Sequence, residues 1–469
     1  MVAQSKFLGI LFPDANMDVS TGKMSADELN PQNRLNLRDV FRALRHRNYR
    51  LFFMGQGLSL IGTWITSVTV GWLVYRLTNS ALLLGLVGFA GQIATFLLAP
   101  FAGVLVDRWN KHRILLITQA LFLLGSTTLT ILVLTGIIQV WHIIVVSVIL
   151  GFVNGFDMPT RQAFIVSMIE DREDLPNAIA LNSSMFNSAR LIGPAIAGVL
   201  IAAVGEGFCF MIDAVSYLAV IAALLAMTVT ATTAEGPHPA VLRQLREGLK
   251  FTFGFPPVRA IILLLAIISF VSVPYTVLMP IFATKIIGGG ASILGFLTAA
   301  SGLGALSGAV FLASRKSVLG LGKWIPLAAG ILGLGLIAFS FSRTLWTSII
   351  FLIATGFGMI TQMASCNTIL QTIVDDNIRG RVMSFYTVAF LGMAPFGSLA
   401  GGALANRIGA PHTVFLGGAA AIVAALVFAR QLPALRTLIR PIYCERGILP
   451  PNLCGVQTYS EIAVPPEQR

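Results

Sequence analysis

Charged side chains are scarce in this sequence. Asp, Glu, Lys and Arg make up 11% of its 469 residues and apolar residues make up 56%, whereas soluble proteins carry about 25% charged residues. The gaps between charges repeatedly reach the roughly 20 residues that a helix needs to cross a bilayer. This composition excludes an ordinary soluble protein, and we expect the lipid bilayer to surround most of the chain.

Cysteine and the motifs of common enzymes are also in short supply. The four cysteines have no metal-ligand spacing, and Cys444 and Cys454 are expected in the cytoplasm, so we predict neither a disulfide framework nor a metal site. No G-x-x-x-x-G-K-[ST] loop is present, which argues against ATP hydrolysis by this chain. The N-terminus lacks the pattern of a cleavable signal peptide. We therefore predict that the protein is not an enzyme and needs no cofactor.

Twelve apolar segments with few charges are long enough to cross the membrane. Lipid offers no partner for an open strand edge, so we expect each segment to be a helix. The predicted fold class is an all-α membrane protein with twelve transmembrane helices. The spans are predicted at about 50–76, 82–106, 114–138, 140–165, 177–204, 207–230, 258–284, 291–314, 323–342, 345–370, 382–406 and 412–431.

The net charge of +12 is explained by topology without a nucleic-acid partner. If the N-terminus lies in the cytoplasm, nearly all Lys and Arg fall on the cytoplasmic side, as the positive-inside rule requires. The charge distribution therefore predicts a multi-pass protein with both termini in the cytoplasm. The exceptions are Arg76, Lys285, Arg343 and Arg407 on the outer side and Arg190 within a span.

Polar segments divide the chain into two bundles of six helices. Residues 1–49 are predicted to be a cytoplasmic tail that ends in a short amphipathic helix on the inner leaflet. Residues 50–230 form the first bundle, and residues 231–257 form a central cytoplasmic loop. The second bundle covers residues 258–431, and residues 432–469 form a second cytoplasmic tail.

The two bundles resemble each other at an offset of about 205 residues, which predicts two pseudo-symmetric halves with a substrate path between them near the midplane. The recurring positions include Gly151-Phe152 with Gly356-Phe357, Gly193 with Gly397, and Gly198 with Gly402.

The segment between spans 2 and 3 reads Gly103-Val-Leu-Val-Asp107-Arg108-Trp-Asn-Lys111-His-Arg113. An Asp beside three cations at a helix end can form charge-assisted bonds to a neighbouring helix and break them in another state. A solvated loop would need only the cations, which leaves Gly103 and Asp107 unexplained. The segment resembles the G-x-L-x-D-R-x-x-x-R signature of the major facilitator superfamily, and the resemblance implies a conformational latch.

Span 5 carries Gly193, Pro194 and Gly198, which are similar to the Gly-Pro motif of the exporter branches of that superfamily. Gly and Pro permit a kink and close approach of helices, and ordinary packing of small residues is the alternative. The resemblance favours export over import.

Several phrases are similar to the bacterial group that includes the enterobactin exporters, whose substrates range over siderophores, drugs and lipids. They include Asp157-Met-Pro159-Thr-Arg161, Arg379-Gly-Arg381, Gly62-Thr-Trp64 and Pro274-Tyr-Thr-Val-Leu-Met-Pro280.

Charges inside the membrane are candidates for ion coupling, because an unpaired charge there costs about 2.5–3.5 kcal/mol. Asp157 either caps a helix that begins near Pro159 or pairs with Arg161 or Arg190 in the cavity. Arg190 is the deepest charge. Asp213 either couples to protons, bridges helices or faces lipid. The second half has no acidic residue within a span, so a proton-carrying carboxylate would belong to the first half.

Uncharged polar residues and one tryptophan are candidates for the wall of a substrate cavity. Hydrogen bonding between helices is the alternative for the polar residues, and core packing is the alternative for Trp64, which otherwise could stack on an aromatic ligand. The candidates are Gln56, Ser59, Thr63, Trp64, Asn187, Gln362 and Asn367.

Three functional hypotheses follow. The first is a monomeric exporter in the bacterial inner membrane that moves a small amphipathic or aromatic molecule, such as a siderophore or drug, by alternating access in exchange for protons. The second is a lysophospholipid or lipid flippase of the same fold. The third is a membrane scaffold or sensor that does not transport.

Overall fold

The chain was analysed as a computed structural model, and all regular structure in the residues that it describes is helical. Twelve helices are long and apolar enough to cross a membrane, which confirms the predicted fold class. The structure describes residues 41–228, 249–315, 317–449 and 454, with the backbone alone for 99–105, 107–108 and 376–377.

The twelve helices follow one another through short connections. Ser80 caps α2 by accepting a hydrogen bond from the Leu83 amide (3.3 Å), and Asn110 caps α3 by accepting from the Arg113 amide (3.2 Å). The helices are α1 (Arg47–Thr78), α2 (Ala81–Arg108), α3 (Lys111–Leu134), α4 (Val140–Met168), α5 (Leu175–Val204), α6 (Glu206–Leu225), α7 (Pro256–Ile281), α8 (Ala291–Ala313), α9 (Leu321–Phe341), α10 (Leu345–Ile373), α11 (Asp376–Leu391 and Met393–Ile408) and α12 (Ala410–Glu445).

The last helix is longer than predicted. It was expected to leave the membrane at residue 431, but it continues to Glu445. Arg436 and Arg440 interrupt the hydropathy of this stretch, whereas apolar side chains at helical spacing still pack on the main core. These side chains are Leu432, Leu435, Ile439 and Ile442. A helix can therefore persist beyond its apolar span when one face remains buried.

The two halves repeat the same packing. In the first half α1 packs on α5 and α6, α2 on α4, and α3 on α6; in the second half α7 packs on α11 and α12, α8 on α10, and α9 on α12. In both halves the last two helices are joined by the same one-residue turn, at Gly205 (φ 83°) and at Gly409 (φ 87°). Only glycine adopts this left-handed conformation without strain. The repeated glycines therefore correspond to a repeated backbone turn.

Two glycine crossings join the halves. The contacts are α2 against α11 and α5 against α8. The repeat relates α2 to α8 and α5 to α11, so the two contacts are equivalent. A Cβ on Gly402 would lie 2.7 Å from the Cα of Gly85, and a Cβ on Gly198 would lie 2.9 Å from the Cα of Gly295. Each crossing therefore depends on missing side chains, because small residues let helix backbones approach closely in lipid.

These crossings lie toward the membrane face opposite the described ends of the chain. We call this face the distal face, and we call the face at the described ends the terminal face. At the distal end, Lys285 of the second half lies 5.9 Å from the centroid of the Tyr75 ring of the first. One apolar core continues across both halves there. A separate core around Tyr49, Phe52 and Phe164 near the terminal face contains first-half residues alone. Among the described residues, the halves are thus joined distally and separate toward the terminal face.

The basic segment before α1 forms a single 3-10 turn, Arg42–Arg45, where a short amphipathic helix was expected. Its cations contact acidic residues of the α4–α5 connection: Arg42 and Arg45 pair with Asp174, and Arg45 also pairs with Asp171 at 2.8 Å. His46 approaches Asp174 at 2.8 Å. Carboxylates of the same half thus occupy the charges that we had assigned to anionic lipid.

The end of α12 departs from the prediction about cysteines. A disulfide joins Cys444 and Cys454, because Gly447 (φ 65°) ends the helix and turns the chain back. Between the two cysteines, Arg446 donates to the carbonyl of Val374 at 3.1 Å and to Asp375 at 3.2 Å. The expectation of no disulfide rested on the reducing cytoplasm and not on geometry, and in this structure it is wrong.

We expect Gly402→Ala to destabilise the protein by about 1–3 kcal/mol, because its methyl group would overlap the backbone of α2. Gly330→Ala is the matched control, because a Cβ at Gly330 meets no atom within 4 Å. Both changes give the same gain in helix propensity. The apparent Tm of each purified variant in detergent measures the effect. Equal Tm values would contradict the tight α2–α11 crossing.

Candidate functional site

An acidic side chain in α4 is held between two helices and paired with a cation. Asp157 is fully buried and accepts hydrogen bonds from Thr118 Oγ1 and Gln119 Nε2 of α3, both at 2.8 Å. Arg161, one turn along α4, forms an ion pair with it. The carboxylate is thus satisfied by hydrogen bonds and by a charge of opposite sign, as a buried ion requires.

This geometry selects among the alternatives for Asp157. The helix α4 runs without interruption through Pro159 to Met168, so no helix begins there for Asp157 to cap. The capping interpretation is therefore wrong. Of the two predicted partners, Arg161 forms the pair, since it lies four residues along the same helix face.

A second acidic side chain bridges three helices of the first half. Asp213 of α6 accepts hydrogen bonds from Thr66 of α1 and Ser126 of α3, both at 2.8 Å, and is buried. Its Oδ1 has no hydrogen-bond partner. A Cβ on Gly62 would come within 2.7 Å of that oxygen, so glycine is needed where α1 passes Asp213. Of the three roles considered for Asp213, the structure supports helix bridging and excludes a side chain facing lipid.

A tyrosine lies between the two carboxylates. Tyr217 follows Asp213 by one turn of α6, and its ring stacks on Phe122 of α3 with centroids 5.4 Å apart. Its hydroxyl lies 3.3 Å from Thr63 Oγ1. Tyr217 interacts electrostatically with Asp213 and with the Asp157–Arg161 pair. The first half therefore contains one continuous polar region built from α1, α3, α4 and α6.

Sequence reasoning missed the side chains of α3 in this region. The uncharged polar candidates predicted from the sequence lie in spans 1, 5 and 10, and none of them lies in span 3. The signal was present, because polar residues are uncommon in a lipid-facing helix and those of α3 lie within its span. They are Thr118, Gln119 and Ser126.

Arg190 lies halfway along α5. Its guanidinium carbon is 5.8 Å from the centroid of the Trp64 ring of α1, and Phe186 packs edge-on against the same ring at 6.0 Å. The backbone of Arg190 faces Gly302 of α8, where a Cβ would come within 2.9 Å of the Arg190 carbonyl oxygen. Tyr275 of α7 hydrogen-bonds to Ser301, the residue before Gly302. Arg190 thus lies where the two halves meet.

The motif of span 5 has a packing role in this structure. A Cβ on Gly193 would lie 2.5 Å from the Cβ of Trp64. The carbonyl oxygen of Pro194 faces Gly295, and Gly198 forms the α5–α8 crossing. The three motif residues therefore place α5 against α1 on one side and against α8 on the other.

The remaining cavity candidates are not brought together. Gln56 and Ser59 are buried, whereas Thr63 is exposed and reaches Tyr217. The others bond along their own helices: Asn187 donates to the Ser183 carbonyl (2.9 Å), Gln362 donates to Cys366 Sγ (3.4 Å), and Asn367 accepts from Gln371 (2.6 Å). Their role in binding stays a prediction.

The predicted latch is described only in part. The side chains of Asp107 and Arg108 are not described, and Gly103 is described by its backbone alone. The latch therefore stays a prediction. Lys111 and Arg113 occupy the first turn of α3, immediately after the capping Asn110. No group of three or more His, Cys, Asp or Glu side chains suited to a metal converges in the described parts of the chain.

Curated proteins of similar sequence are transporters and efflux pumps. The chain is 27% identical over 383 residues to the staphyloferrin A transporter of Staphylococcus aureus, with 81% of this chain and 95% of the relative aligned. It is 25% identical over 386 residues to the multidrug efflux pump Tap of Mycolicibacterium fortuitum, covering 80% and 93%. The enterobactin exporter EntS of Shigella boydii is 25% identical over 372 residues, covering 78% and 86%.

Solved structures of low sequence identity share the fold. A bacterial homologue of the iron transporter ferroportin, in its inward-facing state, gives a TM-score of 0.63 at 16% identity and covers 82% of this chain and 98% of that one. A bacterial homologue of the lysosomal transporter Spinster gives 0.59 at 13% identity, covering 85% and 98%.

The family described as transmembrane secretion effector matches residues 39–439, which is most of the chain. The match spans both halves and reaches into all twelve helices. The chain is thus a multi-pass membrane transporter that belongs to the transmembrane secretion effector family of the major facilitator superfamily.

Proposed function

We propose that the protein exports small amphipathic or aromatic molecules, of the siderophore or drug class, across the bacterial plasma membrane in exchange for protons. The observation that carries this proposal is the buried Asp157–Arg161 pair in one of two halves that meet mainly at one face. The functions named for the relatives, siderophore transport and multidrug efflux, support the substrate class.

Alternating access is supported by the way the halves meet. The glycine crossings close the distal face, while the core near the terminal face contains first-half residues alone among those described. The excess of Lys and Arg on the terminal face favours a cytoplasmic location for that face. With both termini in the cytoplasm, this conformation is open inward, ready to take substrate from the cell.

Proton coupling is proposed to act through Asp157. When it is ionised, its charge holds Arg161 against α4. A proton that enters from outside would neutralise the carboxylate and release the guanidinium, which changes the contacts that the cavity offers to substrate. Release of that proton to the cytoplasm would restore the pair. Because the half that binds the proton also contributes to the substrate site, the two binding events can be coupled.

The function itself is tested by an efflux screen in a bacterium that lacks its major pumps. We expect expression of this protein to lower the accumulation of a siderophore or of an aromatic drug at least several-fold. Export of lysolipids alone, without substrate-driven proton flux, would favour the flippase. No change in the accumulation of any compound, with the protein present in the membrane, would favour the scaffold or sensor.

We expect Asp157→Asn to abolish substrate-driven proton flux in proteoliposomes, because asparagine cannot take up a proton and its neutral amide cannot pair ionically with Arg161. Glu206→Gln is the matched control, since Glu206 pairs with Arg76 at 2.8 Å at the start of α6, away from α4. The control should keep the coupling of the unmodified protein. Normal coupling in Asp157→Asn would rule out this carboxylate as the proton carrier.

Substitutions of Asp213 test whether this buried carboxylate bridges helices or couples transport to protons. We expect Asp213→Ala to destabilise the protein by about 1–3 kcal/mol, because Thr66 and Ser126 lose their buried acceptor. Asp213→Asn keeps one acceptor oxygen and should recover most of that stability and leave proton flux intact. Loss of flux in a stable Asp213→Asn protein would instead assign the second carboxylate to coupling.

A further inference from the structure

Arg190 lies halfway along α5, and no carboxylate of the described residues forms an ion pair with it. The carboxylates within the described spans of the first half are occupied elsewhere: Asp157 pairs with Arg161, and Glu206 pairs with Arg76. Asp213 is occupied by two hydroxyl groups. The second half, which Arg190 faces, has no Asp or Glu between residues 248 and 374 or between 377 and 444.

The surroundings of Arg190 come from both halves. Trp64 and Phe186 of the first half place aromatic rings beside it. From the second half, Tyr275 lies within electrostatic range, and its hydroxyl is 2.7 Å from Ser301 Oγ. Gly302, the next residue of α8, allows that helix to approach the Arg190 backbone. A ligand at the guanidinium would therefore touch both halves.

The free-energy cost of the Arg190 charge depends on which face of the protein is open to water. Arg190 is partly exposed in the present conformation. The face of Trp64 attracts the guanidinium but recovers only part of the cost of removing water from it. When the halves close around the site, that water has to leave. An anion that is not part of the chain would then compensate the positive charge of the guanidinium.

We infer that Arg190, flanked by Trp64 and Tyr275, binds the anionic group of an amphipathic organic acid carried as substrate. A planar guanidinium matches a carboxylate or another oxyanion through two parallel hydrogen bonds. The Trp64 and Phe186 rings offer an apolar surface to the remainder of the same molecule. This inference rests on the proposed export function and narrows its substrate class to organic anions.

The test uses two probes of the same size and opposite charge, 2-naphthoate and 2-naphthylmethylammonium. Binding is measured by equilibrium dialysis on the full chain in nanodiscs of zwitterionic lipid. We expect the unmodified protein to bind naphthoate at least tenfold more tightly than the cation. Arg190→Gln should weaken naphthoate binding at least tenfold and leave cation binding unchanged or improved, and Arg190→Lys should retain part of the affinity.

Arg407→Gln is the matched control, because it removes the same charge from an exposed position near the distal end of α11. It should bind both probes like the unmodified protein. Equal naphthoate binding by Arg190→Gln and the unmodified protein would overturn the inference. So would an equal or tighter affinity of the unmodified protein for the cation, a result that needs no variant and is therefore independent of whether Arg190→Gln folds.

Lysophosphatidate serves as a third probe, since a lipid headgroup could supply the same oxyanion. A tenfold loss for lysophosphatidate in Arg190→Gln with naphthoate binding unaffected would overturn the assignment to soluble organic acids. The efflux screen remains a separate measurement. Naphthoate binding that depends on Arg190 in a protein without efflux would reject the export function alone, whereas efflux with binding that is independent of Arg190 would reject this site alone.

Discussion

Lipid offers neither hydrogen bonds nor counterions, and the rest of this structure depends on that constraint. The backbone satisfies its own polar groups by forming helices throughout the described spans. Side chains meet the same requirement in pairs: Asp157 is matched by Arg161 and two donors from α3, and Asp213 by hydroxyls of α1 and α3. The polar contacts thus occupy the interior of the first half.

Association of the halves follows from the same constraint. Apolar surface gains little by leaving lipid, so helices associate through close packing. The Gly85–Gly402 and Gly198–Gly295 crossings provide that packing on the distal side. The crossings leave the region of Arg190, which lies beside Gly302 of the second half, available to a ligand. Coupling and substrate binding are consequently assigned to different places, the first inside one half and the second between the two.

Much of this organisation could be predicted from the sequence. The spans followed from hydropathy, and the repeat followed from glycines such as Gly198 and Gly402, which prove to occupy equivalent crossings. Other features could not be predicted. Asp157 had two possible cations in the sequence, and the polar residues of α3 indicated a buried face without indicating which carboxylate they would meet. The Cys444–Cys454 bond depended on a turn at Gly447 that composition does not reveal.

The sequence by itself determined that the chain is a twelve-helix membrane protein, because the length of each apolar segment and the cost of burying charge in lipid are local properties. It also predicted that Arg190 lies near mid-membrane, since depth follows from counting residues along a helix. Tertiary structure alone decided that Asp157 meets Thr118 and Gln119 of α3 and that Arg190 lies beside Trp64 of α1. These contacts are distances between helices, and such distances depend on how all twelve pack together.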